Sequence, residues 1–450
     1  MITHGRVFHR KICSDGNSEP ETDNKKKPKV GNQRDDVNMK LAHMGVGLAM
    51  MGLAALTAGK AKAEDQELKI GVVAAESGSF VSAGNTIAAA AKLAAAKIND
   101  DGGIKVGDKT YKIKLYIRDN RTDVNVTIAA AQELVNDIGV SAIWGTETHD
   151  FSIAMAKITG PAKVLQFSGN SSLGSALNTT SVAPDGWLHY AFQTEPQEWQ
   201  RSGSTARGVL ALLTPLMKTK PVHSVVLVGN DATGQYLSSH YVKALEGDGQ
   251  QVDLVKYPPD TTDFLPILTR IKGMHPDIVH FWYNGDSTLT AFPQAEQIHV
   301  APAYFLFGVD PGIYEQRHLT ASVPVTMSCV PECWGGPKRP DVDQYFAKYF
   351  GSGASKGPQS SVSLLYYDYF FMYAKALAEA GKVDDPDAVV NNLLKMSYQG
   401  VVSPVPLTFN SNHQVTFATE VCVVKPNTSD DFTCTTEQPP AAPPAGDPGG

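Results

Sequence analysis

Three short segments combine glycine with hydroxyl or amide side chains, and each directly follows a predicted strand. They are Ser77-Gly78-Ser79-Phe80, Gly145-Thr146-Glu147-Thr148-His149 and Ser168-Gly169-Asn170-Ser171-Ser172. Backbone N–H groups beside hydroxyls can hold a carboxylate or another small anion. Alternatively, these segments are ordinary turns whose Ser and Asn side chains cap the next helix. Because ligands bind outside the carboxyl ends of parallel strands, three such segments at one sheet edge favour a binding site.

The sequence contains no familiar catalytic signature. It has no H-E-x-x-H, no Walker A loop and no G-x-S-x-G motif. His149 and Asp150 resemble a general-base pair, but sequential neighbours seldom orient each other's side chains. The sequence therefore predicts a binding protein without a cofactor, and an exported enzyme with an unrecognised site remains the weaker alternative.

Strands and helices alternate along the chain in two successive series. The first series runs from Ile70 to Phe167 and the second from Arg201 to Phe307. Repeated β-α units predict the α/β class, with parallel sheets covered by helices on both faces. A long helix rich in Tyr and Phe is then predicted over Ser361–Ala380, and the segment Leu407–Val424 is expected to form a closing hairpin.

Length and charge limit the classes of partner. Residues 64–450 carry 28 Lys and Arg against 40 Asp and Glu, a net charge of −12. A chain this acidic offers no basic surface to grip nucleic acid, so no nucleic-acid partner is predicted. Its length exceeds what one hydrophobic core usually serves, which predicts two lobes.

An export signal precedes the first strand. Met39-Lys40 is a positive start, Leu41–Ala58 is mostly apolar, and Ala61-Lys62-Ala63 is an A-x-A cleavage site. This order is typical of a secretory signal peptide over residues 39–63, cleaved near Ala63, which predicts a periplasmic protein. A retained membrane anchor is the alternative, because the apolar run has about the length of a span, roughly 18 residues. Residues 1–38 are expected to be a disordered or misassigned upstream extension.

Four cysteines follow the signal, and an even count in an exported chain favours disulfides. Four cysteines allow three pairings, of which the two local ones, Cys329 with Cys333 and Cys422 with Cys434, are favoured. A four-cysteine zinc site is the alternative, but the C-x-x-C spacing of such sites is missing. No metal is predicted.

Eight segments resemble, in their order and their amino-acid sequences, the leucine/isoleucine/valine-binding family. Its members are the periplasmic substrate-binding proteins of branched-chain amino-acid-type ABC importers. The resemblance covers roughly Leu68–Val424. The segments that carry it are Lys69–Gly84 (KIGVVAAESGSFVSAG), Ile98–Ile104 (INDDGGI), Ala129–Val135 (AAAQELV), Val140–Thr146 (VSAIWGT), Thr262–Ile271 (TDFLPILTRI), Pro276–Val279 (PDIV), Tyr366–Gly381 (YYDYFFMYAKALAEAG) and Gly400–Phe409 (GVVSPVPLTF).

The resemblance implies the type I periplasmic binding protein fold, in which two doubly wound Rossmann-like lobes enclose a ligand cleft. Crossovers between the lobes are expected near Phe192, Val325 and Gln414. Lobe 1 would comprise residues 66–191 and 326–414, and lobe 2 residues 192–325 and 415–436. Residues 437–450 would be a disordered Pro/Gly-rich tail. Hinge closure around the ligand is what such a layout allows.

The family's pocket can be carried over position by position. Thr148 and His149 fall on a ligand-contacting loop, Gly169 and Ser171 fall where the ligand carboxylate is held, and Asp310 falls near the acidic residue that takes an α-ammonium. A carboxylate in a partly dry cleft also favours a cationic partner. The full predicted ligand set is Ser79, Phe80, Thr148, His149, Gly169, Asn170, Ser171, Thr233, Asn284 and Asp310.

Several positions depart from the family pattern. Family aromatic residues fall at Ala83, Thr233 and Asn284, and a family serine falls at His149, so the pocket is expected to be more polar. The predicted function is capture of a small polar ligand, an amino acid or a related carboxylate or amide. A monomer would deliver this ligand to an ABC transporter membrane permease. The alternative is a ligand-sensing module that acts through a receptor or regulatory partner.

Overall fold

The computed structural model describes residues 66–169, 173–217, 222–282, 285–330, 361–403 and 405–442. The predicted upstream extension, the signal peptide, Asn170, Ser171, Asn284, Cys333 and the end of the predicted tail lie outside these ranges. Residues from Lys62 onward belong to one compact unit. None of the helices in the described ranges has the length and apolar character needed to cross a membrane.

Two sheets form the framework of this unit. The first has the strand order β2-β3-β1-β4-β5-β6, and all its pairings are parallel except β2 with β3. Its strands are β1 (Gln66–Ala74), β2 (Ile104–Val106), β3 (Lys109–Asp119), β4 (Ala142–Trp144), β5 (Leu165–Ser168) and β6 (Ala191–Gln193). The predicted α/β class is confirmed.

The second sheet has the order β13-β12-β11-β10-β9-β7-β8, in which β7 to β11 are parallel and β12 and β13 are antiparallel additions. Its strands are β7 (His223–Gly229), β8 (Gln251–Tyr257), β9 (Ile278–Phe281), β10 (Tyr304–Leu306), β11 (Val325–Cys329), β12 (Thr419–Val424) and β13 (Phe432–Glu437).

Helices cover both faces of the two sheets. In chain order they are α1 (Val81–Asp100), α2 (Val124–Gln132), α3 (His149–Thr159), α4 (Glu198–Leu213), α5 (Ala232–Gly247), α6 (Leu265–Gly273), α7 (Thr288–Gln297), α8 (Pro311–Gln316), α9 (Ser361–Ala380) and α10 (Pro386–Lys395). One face of the first sheet packs on α1, α9 and α10 around a core that includes Trp144 and Phe370, whose rings stack 4.0 Å apart. Alternating small and aromatic side chains let these layers interdigitate.

The last strands differ from the sequence prediction. The predicted hairpin within Leu407–Val424 does not form; β12 instead pairs with β11 and with β13. A disulfide joins Cys422 to Cys434 across β12 and β13, as predicted. Cys329 is also disulfide-bonded, and its predicted partner Cys333 lies outside the described residues. Pairing over the whole of β11 satisfies more backbone groups than the predicted short hairpin could.

The predicted lobe boundaries differ in two places. The strand Val325–Cys329 lies parallel to β10 in the second sheet, so the second crossover follows Cys329 instead of lying near Val325. The predicted tail begins at residue 437, yet the Gln438 carbonyl accepts from Arg207 and Pro440 lies beside Gly203 of α4. The first and third crossovers lie side by side, because Gln193 N–H donates to the His413 carbonyl at 2.9 Å.

Candidate functional site

The loops at the carboxyl ends of the two sheets face each other and make direct contacts. The backbone N–H of Asp286, on the side of the second sheet, donates a hydrogen bond at 3.1 Å to the backbone carbonyl of Ser79, on the side of the first sheet. Phe80, at the start of α1, packs against the apolar cluster of the second sheet. The predicted residues Ser79 and Phe80 therefore lie at the junction of the two halves, where parallel α/β sheets bind ligands.

A hydrogen-bonded link across the junction centres on Asp150. Its Oδ1 atom accepts from the Thr148 hydroxyl and from the Thr233 hydroxyl, each at 2.8 Å. Thr148 belongs to the loop after β4, and Thr233 belongs to the first turn of α5 in the other half. The structure thus brings together two predicted site residues through Asp150, which sequence reasoning had considered only as a catalytic partner of His149.

His149 makes a second link across the junction. Its imidazole stacks on the Tyr236 ring of α5, with ring centroids 4.4 Å apart and an angle of 13° between the planes. The Tyr236 hydroxyl lies so close to Gly174 that a methyl group added there would be 2.1 Å away. Gly174 also has a φ of +48°, which favours glycine. The ring pair therefore joins predicted residue His149 to an aromatic residue that sequence reasoning had missed.

Glu147 is a fully buried carboxyl group behind these loops. Its Oε1 accepts from the Ala75 N–H, and its Oε2 accepts from the Asn120 amide at 2.8 Å. It therefore holds the ends of β1, β3 and β4 together. Burial raises the pKa of Glu147 to about 7, although these two hydrogen bonds act in the opposite direction.

This burial predicts a pH-dependent stability. The folded pKa lies above the ordinary value of 4.5, so the folded state binds more protons between pH 4.5 and 7, and stability falls as the pH rises through that window. The loss should approach roughly 3 kcal/mol above pH 7. Urea denaturation of the wild type and of Glu147→Gln from pH 5 to pH 8 measures it.

The variant should be less stable at low pH, because glutamine cannot accept from both Ala75 and Asn120, and it should lack this pH slope. Equal slopes in the two proteins would show that Glu147 does not titrate in this range.

Asp310 lies in the loop after β10 and is buried, with 4% of its surface exposed. Its carboxylate caps α8 by accepting from the Ile313 N–H at 3.0 Å. The structure therefore gives Asp310 a role as a helix cap.

A buried ion cluster adjoins this loop. Arg201 of α4 contacts Glu195 and Glu198 at 2.8 and 2.7 Å, and all three side chains are almost fully buried. The guanidinium also lies over the Phe307 ring, 4.7 Å from its centroid. Glu195, Glu198 and Arg201 follow one another at intervals of three residues, which was a sequence signal for such a cluster. The sequence did not show that these side chains are buried.

Gly169 faces a tyrosine from a distant helix. A methyl group added at Gly169 would lie 2.6 Å from the hydroxyl of Tyr366 in α9. That side chain is buried, and among the described residues its hydroxyl has no hydrogen bond of normal geometry. Burial, followed by the charges of Glu195 and Glu147, raises the pKa of Tyr366 well above its ordinary value. Sequence reasoning had placed Tyr366 only on the predicted long helix Ser361–Ala380.

The fold matches that of known proteins. The family model described as periplasmic binding protein matches residues 67–430. The chain belongs to the periplasmic binding protein family. The resemblance predicted from the sequence is confirmed, as is the type I fold with its two parallel-rich sheets.

A curated relative in this family is Leu/Ile/Val-binding protein homolog 6 of Brucella suis biovar 1, 27% identical over 248 residues. The match covers 55% of this chain and 59% of that protein. The chain therefore spans little more than half the length of this relative.

Solved structures of the family share the fold. A leucine-binding protein LivK from Thermotoga maritima has a TM-score of 0.64 and 18% identity, covering 83% of this chain and 99% of that one. A solute-binding protein of an ABC transporter from R. palustris, in complex with benzoate, has a TM-score of 0.67 and 16% identity, covering 84% of this chain and 97% of that one.

Proposed function

We propose that this protein is an exported solute-binding protein of an ABC importer. It captures a small polar ligand, an amino acid or a related carboxylate or amide, in the cleft between the two sheets. The observation that carries the proposal is the link through Asp150, which accepts from Thr148 on one side of the cleft and from Thr233 on the other. Such contacts hold the two sides together in the closed form of a hinged protein.

The proposed pocket is lined by the loops that meet at this junction. It comprises Ser79, Phe80, Thr148, His149, Gly169, Asn170, Ser171, Thr233, Asn284 and Asp310. The lobes comprise residues 66–193 with 361–414, and 194–330 with 415–437. The ligand leaves the protein unchanged, because capture and release need only hinge motion.

Export and delivery complete the proposal. The chain is secreted to the periplasm by a signal peptide cleaved near Ala63, acts there as a monomer, and hands its ligand to the membrane permease. Family membership and the ABC transporter systems named for structural neighbours support delivery over the alternative of a ligand-sensing module.

Small-angle scattering and thermal unfolding test the binding function. The chain from Glu64 onward is unfolded and refolded to remove bound ligand, then titrated with amino acids, amides and aromatic acids. A true ligand at about 100 times its dissociation constant should add roughly 2.7 kcal/mol of stability and reduce the radius of gyration. A compound that is chemically altered on incubation would overturn the non-enzymatic part of the proposal.

A further inference from the structure

A short turn after β5, Gly174–Ala176, is tied to both of the crossovers that lie side by side. The Gln193 side-chain oxygen accepts from the N–H groups of Leu173 and Gly174 at 3.1 and 2.8 Å. The Gln414 side-chain amide donates to the Gly174 carbonyl at 3.3 Å. Both glutamines are buried, and their backbones form a parallel bridge. The position of Gly174 is therefore fixed relative to these two crossovers.

Tyr236 of α5 reaches this turn from the half that is built on the second sheet. A methyl group added at Gly174 would lie 2.1 Å from the Tyr236 hydroxyl oxygen and 2.7 Å from the ring carbon that bears it. Both distances are far shorter than the separation at which non-bonded atoms attract each other, about 3.5 to 4.0 Å. Gly174 therefore leaves a space that only a residue without a side chain can leave, and Tyr236 fills it.

Two imidazole rings hold the Tyr236 ring in this direction. His240, four residues later on α5, meets the ring edge-on, with centroids 4.8 Å apart and an angle of 79° between the planes. This contact lies within one helix and is independent of the hinge. His149 belongs to the opposite half, and its stack on Tyr236 at 4.4 Å forms only when the halves meet. Tyr236 cannot turn away from Gly174 without losing that stack.

We propose that Tyr236 is a positioning residue for ligand capture, which stops the closing cleft at one defined position by landing on Gly174 and His149. This inference rests on the proposed function and its hinge motion. The Gly174 turn is the seat that receives Tyr236, and the glutamines of the two crossovers hold the seat in place. The same closed position brings the Thr233 hydroxyl to Asp150.

Gly174→Ala tests the inference by filling the seat. The probes are the amino acids, amides and aromatic acids titrated above, beginning with L-leucine, L-leucinamide and benzoate. A probe that contracts the wild type should contract this variant less, as measured by small-angle scattering. Calorimetry should show binding at least about tenfold weaker, because the hydrogen bond between Thr233 and the Asp150 carboxylate no longer forms and such a bond contributes about that factor.

Gly139→Ala is the matched control. Gly139 also has a left-handed backbone, with a φ of +72° against +48° for Gly174. A methyl group added at Gly139 would meet nothing in the described structure within 4 Å, its chain neighbours aside. Both variants therefore carry the strain of alanine in this conformation, and only Gly174→Ala meets Tyr236. The control should contract and bind as the wild type does.

Tyr236→Ala distinguishes a blocked seat from a damaged turn. On its own it should contract at least as much as the wild type, because the stop is gone, and bind about threefold to tenfold more weakly, because an aromatic stack contributes about that factor. In the double variant with Gly174→Ala, the methyl group has room. The contraction should return, and Gly174→Ala should cost no further affinity.

The outcomes separate this inference from the proposed function. A probe that contracts the wild type and Gly174→Ala equally overturns the inference and leaves solute binding intact, as does a Gly174→Ala defect that persists without Tyr236. If Gly174→Ala does not fold, Tyr236→Ala decides alone, and a smaller contraction than in the wild type overturns the stop. If no probe binds or contracts the wild type, the proposed function fails and this inference fails with it.

Discussion

Replacing Arg201 by methionine is expected to lower the free energy of unfolding by about 3 to 5 kcal/mol. The substitution leaves Glu195 and Glu198 buried without their shared cation, and an uncompensated buried charge is strongly destabilising. The cluster stands between the first crossover and the loop after β10, where Arg201 covers the Phe307 ring. Urea denaturation at pH 7 measures the loss.

Arg207→Met is the matched control for this prediction. Arg207 lies on the same helix, but its side chain is 38% exposed and its contact with Glu437 is 3.6 Å long. Such a surface pair contributes at most about 1 kcal/mol. The triple variant Glu195→Gln, Glu198→Gln, Arg201→Met should recover much of the lost stability, because it removes the charges together. If Arg201→Met is as stable as the wild type, the buried Glu195 and Glu198 carboxylates do not need Arg201 as their cation.

Replacing Asp310 by asparagine is expected to weaken binding of an amine-bearing ligand by roughly 2 to 5 kcal/mol. The physical reason is the loss of one partner of a buried ion pair. Asparagine is as good a helix cap as aspartate, so the bond to the Ile313 N–H and the stability of α8 should be retained. Calorimetry with the amide or amino acid that binds the wild type measures the change in dissociation constant.

The chain supplies a control with the same local motif. Asp385 precedes Pro386 and caps α10 through the Ala388 N–H at 3.0 Å, as Asp310 precedes Pro311 and caps α8. Asp385→Asn should leave affinity unchanged, because α10 packs on the first sheet away from the cleft. If the Asp310 variant also binds normally, Asp310 serves only as a helix cap.

Local patterns predicted most of the framework. The alternation of short apolar strands with helices of strong helix formers predicted the α/β class, because strand and helix periodicities are properties of neighbouring residues. The same local signals failed near the end of the chain. Leu407–Val424 has the turn residues of a hairpin, but β12 gains a more extensive pairing with β11 and β13, which lie 90 residues before it and a few residues after it.

The candidate site was likewise predicted from the sequence only in part. The sequence alone determined that three loops combining glycine with hydroxyl or amide side chains follow strands, and parallel topology then brings such loops to one edge. Only the tertiary structure decided what those loops meet. It placed Thr233 on Asp150, stacked Tyr236 on His149, and set Tyr366 against Gly169.

Burial accounts for the remaining difference. The residue types at Glu147, Glu195 and Arg201 are plain in the sequence, but a charged side chain costs little when it is exposed and much when it is buried. Their energetic weight therefore follows only from the packing of distant segments around them. The sequence determined the alternation of strands and helices, and the tertiary structure decided which of these charged side chains are buried.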